Sequence, residues 1–236
     1  MFMRKFKTVA VIIPVYNEEK TIDKIVERVK KSDTLGLDKQ IIIVDDGSTD
    51  KTRNILASLK DKSIKIYYQP YNKGKGAALR HGFEMARGDI ILIQDADLEY
   101  NPADYPKLLR PLINGKAKVV YGSRMLTHAK MHHGGAIFYI GGQFINWLTN
   151  VLYDLRITDE ATGYKVFDAE LLSSIPLVCK KFDFCPEITA KIAKRRVPIY
   201  EVEISYRGRK VAEGKKINWR DGLHAIYTLL KYKFVE

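Results

Sequence analysis

The sequence DIILIQDADLE, at residues 89–99, contains a short apolar run followed by a cluster of acidic side chains. The run at 90–93 is rich in β-branched residues and predicts a buried strand. Because side chains alternate along an extended segment, Asp95, Asp97 and Glu99 point to one side, where their charges repel. A hard divalent cation relieves this repulsion, and Mg²⁺ commonly keeps a substrate phosphate in its shell. The alternative is a solvated turn whose acids point into water.

Strand and helix patterns alternate regularly around this stretch. Apolar runs predict strands at 9–14, 40–44, 64–69, 90–93 and 119–121, and amphipathic spacing predicts helices at 21–31, 51–59, 77–86 and 102–113. Such alternation is typical of an α/β fold with a mostly parallel sheet and helices on both faces.

Polar side chains follow the carboxyl ends of five predicted strands. They are Glu18, Asp45 and Asp46, the glycine-rich segment 74–76, the acids at 95–99, and Arg124. Ligands of open α/β sheets bind beyond the carboxyl ends of the strands. The sequence therefore predicts one site along this edge.

The remainder of the chain is less regular. The segment 127–135 has the composition of a loop, and the apolar segment 138–152 is interrupted by Gly and Asn and is too polar for a membrane span. Short strands are predicted within 159–167 and 198–206, and a helix at 186–194. The last apolar residues recur at helical spacing from Trp219 to Phe234.

The composition indicates a globular protein that attracts polyanions. Apolar residues make up 46% of the chain, and the net charge is +12. Such a charge favours nucleic acid, anionic lipid or phosphorylated substrates without choosing among them. Cys179 and Cys185 match no metal-finger spacing, which indicates a reducing cytosol. We expect no signal peptide before Val9 and no membrane span.

Three motifs together identify a family resemblance. PVYNE at 14–18, DDGSTD at 45–50 and DAD at 95–97 resemble the inverting glycosyltransferases of family 2, which have the GT-A fold. The resemblance continues through 122–124, 161–167 and 204–209. The branch that looks most similar contains the dolichyl-phosphate mannose and polyprenyl-phosphate glucose synthases, which move a sugar from a nucleotide to a lipid phosphate.

The resemblance implies roles for individual residues, position by position. The nucleotide-sugar set comprises Pro14, Tyr16, Glu18, Asp46, Lys75, Asp95, Ala96 and Asp97, of which the first four hold the base and ribose. The implied ligands of a divalent cation, Mg²⁺ or Mn²⁺, are Asp95, Asp97 and Glu99. Many relatives have Gln where this chain has Glu99.

The acceptor phosphate is expected to bind arginines late in the chain. The resemblance places Arg124, Arg207 and Arg209 there, with Lys130 and Lys210 nearby, and makes Asp97, Arg124 and Arg209 the catalytic set. A lipid monophosphate is already ionised, so it needs holding rather than deprotonation, and the planar fork of arginine matches its oxygens.

The resemblance also implies how the chain is organised. A single GT-A domain spans 1–236, with a nucleotide-sugar half at 1–124 and an acceptor half at 125–210. A C-terminal amphipathic helix at 211–236 either contacts the membrane surface, binds a separate membrane subunit, or packs on the sheet. The expected location is the cytoplasm, peripheral to the cytoplasmic face of the membrane.

Several alternatives are weighed against this interpretation. Transfer to a sugar hydroxyl needs a carboxylate base, for which Asp159 or Glu160 is available. A nucleic-acid-binding module would need aromatics among the basic residues of 207–216, and there are none. A dinucleotide fingerprint at 74–76 would need a third glycine at Leu79. The pair at 132–133, His-His, has no obvious third metal ligand and is expected to be a solvated loop.

Overall fold

The computed structural model describes residues 6–126, 136–209 and 219–235. The strands are β1 (Thr8–Val15), β2 (Asp38–Asp45), β3 (Ile64–Tyr68), β4 (Ile90–Ile93), β5 (Val119–Ser123), β6 (Lys165–Asp168) and β7 (Ile199–Glu203). The helices are α1 (Ile22–Lys31), α2 (Thr52–Ser58), α3 (Lys75–Met85), α4 (Tyr105–Ile113), α5 (Ala136–Tyr153), α6 (Ala169–Ser173), α7 (Phe184–Lys194) and α8 (Trp219–Phe234). A short 3-10 helix at Pro102–Asp104 precedes α4, where the sequence predicted the first turn of one continuous helix.

The seven strands form one sheet in the order β3-β2-β1-β4-β6-β5-β7. Neighbouring strands are parallel except where β6 pairs with β4 and β5. The predicted mostly parallel sheet is therefore confirmed, with β6 as the reversed strand. Because the other six strands point the same way, their carboxyl ends lie along one edge. Since β6 lies between β4 and β5, strands from the predicted halves 1–124 and 125–210 belong to the same sheet.

Both faces of the sheet are covered by helices, as predicted. Along β1, Val9, Val11 and Ile13 pack into a core with α1, α2 and α4. Ala10 and Ile12 point the other way, into a core with α3 and α7. This alternation explains why the strand is apolar throughout, since both of its faces are removed from water.

The helices α5 and α8 pack side by side and share an exposed apolar surface. The Tyr153 hydroxyl in α5 donates a 2.6 Å hydrogen bond to the Leu229 carbonyl in α8. We call the outer surface the aromatic face, and it consists of Tyr139, Ile140, Phe144, Trp147 and Val151 from α5 with Trp219, Leu223, Tyr227, Leu230 and Phe234 from α8. Within the described part of the chain, no helix has the length and apolarity needed to cross a membrane.

A buried carboxylate joins α8 to the rest of the fold. Glu187 of α7 is 1% exposed and accepts hydrogen bonds from the amides of Val178 and Cys179, from Lys191 and from the Tyr232 hydroxyl. Burial by itself would raise the pKa of Glu187, but the bonds from Lys191, Val178 and Tyr232 outweigh it and hold the pKa below its ordinary value. The charged form is therefore part of the native packing.

Replacing Glu187 with glutamine is expected to lower the free energy of unfolding by about 3 kcal/mol near pH 7, because it leaves the Lys191 charge buried without its carboxylate partner. A carboxyl whose folded pKa is depressed stabilises above its unfolded pKa, so the difference from the wild type shrinks as the pH falls below about 4. Urea unfolding at several pH values measures both effects. The matched control is Glu27→Gln, at an exposed pair with Lys30, where we expect a change within about 0.5 kcal/mol. A pH-independent loss would contradict the assignment.

Candidate active site

The first acid after β4, Asp95, is held between a lysine and a glycine. Its Oδ1 lies 2.5 Å from Lys75 Nζ at the start of α3. Its Oδ2 lies against Gly163, where an added Cβ would come within 2.3 Å of that oxygen. A side chain at residue 163 would thus displace the Asp95 carboxylate, and the glycine of the ATGYKVF motif leaves room for it. Ala96, which follows, is buried.

The second acid, Asp97, pairs with Arg209, the last residue of the described range 136–209. Arg209 Nη2 lies 3.0 Å from Asp97 Oδ2. The other terminal nitrogen, Nη1, lies 3.1 and 3.2 Å from the two oxygens of Glu18, which follows β1. Burial opposes the Arg209 charge, but Asp97, Glu18 and Glu99 together raise the pKa of Arg209. Two residues predicted for the donor and one predicted for the acceptor therefore meet at one place.

The third acid, Glu99, holds the segment 206–209 in place. Its Oε2 accepts a 2.7 Å hydrogen bond from the Tyr206 hydroxyl, and its Oε1 accepts one of 2.7 Å from the Arg209 amide. The Glu99 carbonyl also accepts from the Arg207 amide. Both carboxylate oxygens thus have protein donors, and Arg207 is exposed.

The electrostatics of the cluster penalise the Asp97 charge. Burial, with the charges of Asp95 and Glu99, raises the pKa of Asp97 to about 7, although Arg209 works in the opposite direction. Repulsion among these acids was the sequence argument for a cation. In the structure, Lys75 and Arg209 supply positive charge to this cluster.

Arg124, at the end of β5, is fixed by a neighbouring carboxylate. Its Nε and Nη2 each lie 2.7 Å from one oxygen of Asp159, and its amide donates to the same side chain. The guanidinium also lies over the ring of Tyr206, 5.0 Å from its centre. Tyr206 therefore contacts Arg124 with its ring and Glu99 with its hydroxyl, and links the two arginine sites.

Neither carboxylate that the sequence offered as a base is free in this arrangement. Both oxygens of Asp159 are bonded to Arg124. Glu160 is 2% exposed, with one oxygen 3.3 Å from the Thr189 hydroxyl. Burial raises the pKa of Glu160. A base for an acceptor hydroxyl needs access to that hydroxyl, which this packing restricts.

The acids after β2 have different partners from each other. Asp46 accepts 2.7 Å hydrogen bonds from the amides of Lys73 and Gly74, so it shapes the loop before α3. Asp45 bonds to Arg53, yet its Oδ1 is buried without a hydrogen-bond partner among the described residues, as is Gln69 Nε2 at the adjacent strand end. Buried unpaired groups of this kind are rare. The sequence analysis named Asp45 at this edge but assigned only Asp46 to the nucleotide, and it gave Gln69 no role.

The rest of the nucleotide-binding set lies on the first loop. Pro14 lies beside Val44, one residue before the end of β1, and Tyr16 is partly exposed in the loop that follows. This loop is tied to the loop after β2, since the Asn17 amide donates to Ser48 and the Glu18 amide to Thr52. Asp50, two residues before α2 begins, accepts from the amide of Thr52, the first residue of that helix.

The amino end of α3 is closed by protein. The amides of Gly76 and Ala77 donate to the carbonyls of Lys181 and Lys180, and a Cβ on Gly74 would meet the Lys180 carbonyl at 2.4 Å. These amides are therefore not offered to a dinucleotide phosphate, which disfavours that alternative. Lys130, His132, His133 and Lys210, discussed above from the sequence, lie outside the described residues.

The donor atoms fit a hard divalent cation that arrives with its substrate. Among the described residues, no three His, Cys, Asp or Glu side chains are placed to hold a metal ion. Mg²⁺ is often held by one or two carboxylates together with substrate phosphates, and Asp95 and Asp97 supply such a pair of oxygen ligands. The ligand role of Glu99 stays a prediction, because its oxygens already accept two hydrogen bonds.

Buried tyrosines support the site in a way that no local pattern indicated. Gln94 is fully buried, and its Oε1 accepts from the hydroxyls of Tyr105 and Tyr164. The Tyr100 hydroxyl accepts from the Gly163 amide and so holds the glycine against Asp95. Tyr164 and Phe167 are core residues.

Comparison with known proteins gives a consistent result. The model of the family described as "Glycosyl transferase family 2" matches residues 10–160. A UDP-N-acetylglucosamine–dolichyl-phosphate N-acetylglucosaminyltransferase of Methanococcus voltae is 29% identical, with 96% of each chain covered. A dolichol-phosphate mannosyltransferase of Pyrococcus furiosus is 30% identical over 95% of this chain, which spans 64% of that protein's length.

The fold is also that of a solved structure. Glucosyl-3-phosphoglycerate synthase of Mycobacterium tuberculosis, solved with Mn²⁺, uridine diphosphate and phosphoglyceric acid, superposes with a TM-score of 0.73. The two are 23% identical, and the superposition covers 98% of this chain and 80% of that one. This similarity establishes the GT-A fold.

Proposed function

The chain belongs to glycosyl transferase family 2, and from this premise we propose that it moves a hexose from a nucleotide-diphosphate sugar to a dolichyl or polyprenyl monophosphate. The expected donor is GDP-mannose or a UDP-sugar. The named relatives, which act on dolichyl phosphate, support this acceptor. The observation that carries the proposal is the ion pair between Arg209 and Asp97, because it joins a predicted acceptor residue to a predicted donor residue. Direct transfer needs the two substrates to meet at such a point.

On the donor side, this proposal assigns the nucleotide to the loops after β1 and β2. Pro14, Tyr16 and Glu18 line the first loop, and Asp45 has an unpaired buried acceptor for the base, next to the predicted Asp46. Asp95 and Asp97 are the residues that would hold Mg²⁺ or Mn²⁺. A bound divalent cation would neutralise the leaving diphosphate as a Lewis acid.

On the acceptor side, we assign Arg124, Arg207 and Arg209 to the lipid phosphate. A phosphate oxygen attacks the anomeric carbon from the side opposite the leaving group, so a new C–O bond forms as the bond to the diphosphate breaks. The attacking oxygen is already ionised, and this fits a site whose carboxylates are bonded to arginines. The work of the protein is then to position two phosphates and their charges.

The test is a product assay with a panel of donors. The full chain is incubated with polyprenyl phosphate and each of several GDP- and UDP-sugars, with Mg²⁺ or Mn²⁺ and with or without a chelator. We expect a glycolipid from one donor and loss of product with chelator. Formation of product only with a sugar hydroxyl as acceptor would favour the alternative family 2 reaction. No product from any donor would reject the proposal.

We further propose that the aromatic face lies on the cytoplasmic surface of a membrane, with the protein peripheral to it. A bilayer with anionic headgroups fits this face better than a separate membrane subunit. Its Trp and Tyr side chains are typical of membrane interfaces, and the exposed cations Arg220, Lys231 and Lys233 lie on the same helix. The acceptor's lipid tail gives such contact a purpose.

Substituting Trp147, Trp219 and Tyr227 together with serine is expected to reduce binding to anionic vesicles by at least about tenfold, because apolar contact with the bilayer is lost. These side chains are 57%, 67% and 67% exposed, so the fold should be retained. Flotation with phosphatidylserine vesicles measures the effect. Tyr200→Ser, at an exposed tyrosine of β7, is the matched control and should float normally. Equal flotation of both variants would exclude the aromatic face from membrane contact.

A further inference from the structure

Arg209 lies where positive charge is most needed in the acidic cluster. Its two terminal nitrogens contact Glu18 and Asp97, and its Nε is 3.6 Å from Glu99 Oε1. This Nε is buried and has no hydrogen-bond partner among the described residues. The guanidinium therefore neutralises the cluster without being fully satisfied there. An arrangement of this kind is exchangeable, since a better cation gains more than the arginine loses.

We propose that Arg209 and the divalent cation compete for Asp97, so that binding of the donor with its cation displaces the Arg209 side chain toward the acceptor phosphate. The inference rests on the proposed function for the identity of the two substrates.

Arg209 and a cation would compete for one oxygen of Asp97. Asp97 Oδ1 accepts a 3.1 Å hydrogen bond from the Glu99 amide, and Oδ2 is the atom that contacts Arg209. A cation bound to Asp97 would thus lie beside the guanidinium. Two positive charges in contact with the same buried carboxylate repel each other strongly. A cation bound to Asp97 would therefore weaken the ion pair between Arg209 and Asp97.

Glu99 anchors the backbone of the segment that carries Arg209. Glu99 holds the Arg209 amide through Oε1 and the Tyr206 hydroxyl through Oε2, and its carbonyl holds the Arg207 amide. The backbone can therefore stay in place while the long side chain of Arg209 moves. Glu99 is, in this account, a positioning residue for Arg209 and not a metal ligand.

A displaced Arg209 guanidinium would stay near Arg124. Tyr206, three residues before Arg209, carries Arg124 over its ring. An Arg209 side chain released from Asp97 stays on the same short anchored segment, next to the second arginine. Displacement thus raises positive charge on the acceptor side when the donor is loaded. By thermodynamic linkage, donor with cation and acceptor phosphate strengthen each other's binding.

The experiment measures binding of Mn²⁺ alone to the full chain, from the electron paramagnetic resonance of free Mn²⁺, so no turnover is involved. Arg209→Met keeps most of the side-chain stem and removes the charge. We expect it to bind Mn²⁺ about tenfold more tightly than the wild type, within the usual range of coupling. Glu99→Gln should bind Mn²⁺ at least as tightly as the wild type. Arg110→Ala, which removes an exposed arginine of α4, controls for net charge and should match the wild type.

A second arm needs no variant to fold. Calorimetric titration of the wild type with farnesyl phosphate should show about tenfold tighter binding when Mn²⁺ and either UDP or GDP are present. Unchanged Mn²⁺ affinity in Arg209→Met, weaker Mn²⁺ binding in Glu99→Gln, or equal farnesyl phosphate affinity with and without the nucleotide would each overturn the inference. A failed product assay with an intact Mn²⁺ effect would instead reject the proposed function alone.

Discussion

Replacing both Asp95 and Asp97 with asparagine is expected to reduce kcat/KM for sugar transfer by about 10³-fold or more. The two carboxylates supply the oxygen ligands that we assign to the cation, and asparagine keeps their shape without the charge. The loss should fall on kcat as well as on KM, because charge on the leaving diphosphate develops in the transition state. Steady-state kinetics with the donor identified by the product assay measure the effect.

Stability measurements separate this loss from misfolding. The Asp97 charge is already opposed by burial and by Asp95 and Glu99, so removing charge from the cluster relieves repulsion. Relief of this repulsion should offset the loss of the ion pair between Asp95 and Lys75, so we expect the double variant to unfold within about 5 °C of the wild type. Asp23→Asn, at an exposed acid of α1, is the matched control and should leave both properties unchanged. Intact turnover in the double variant would contradict the proposed metal ligands.

The second large effect is expected from Arg124→Lys. Lysine keeps the charge but cannot form the two 2.7 Å bonds to Asp159 while also presenting a planar fork to phosphate. We expect kcat/KM for the lipid phosphate to fall by about 100-fold, while nucleotide binding stays within about twofold. Varying each substrate separately distinguishes the two. An equal loss for both substrates would mean that Arg124 acts on the fold of the edge and not on the acceptor.

Asp159→Asn distinguishes the two acceptor chemistries. If Asp159 positions Arg124, the variant should lose less activity than Arg124→Lys and keep the shape of its pH profile, since the Arg124 charge remains. If Asp159 were a base for a sugar hydroxyl, its loss should abolish turnover and remove the acidic limb of the profile. Arg110→Lys serves as the control for the arginine substitution. The second result would favour transfer to a sugar hydroxyl.

Local pattern was sufficient for the order of elements because strand and helix periods are set by neighbouring residues. The apolar runs of β1 and β4 are buried on both sides, and for this reason their sequences predicted strands of a covered parallel sheet. The direction of β6 could not be predicted from its sequence. It lies between two strands that precede it in the chain, and no local pattern states which strands will become its neighbours.

The candidate site divides in the same way. The acids at 95–99 and the repulsion among their charges followed from spacing along one segment, and the family resemblance added roles for distant motifs. The partners of those acids did not follow, because Arg209 meets Asp97 across 112 residues and Tyr206 meets Glu99 across 107. The unpaired buried oxygen of Asp45 did not follow either, because it depends on packing around two strand ends.

The amino-acid sequence by itself determined that this chain builds an α/β sheet with acids and arginines along its carboxyl edge, because hydrophobic period and strand polarity are local properties. Only the tertiary structure decided that Glu99 anchors the late segment and that Arg209 neutralises Glu18 and Asp97. It also decided that α5 and α8 join into one aromatic face. These depend on which side chains the folded backbone brings within a few ångströms, and the free energy of each contact exists only after the chain has closed the loops between them.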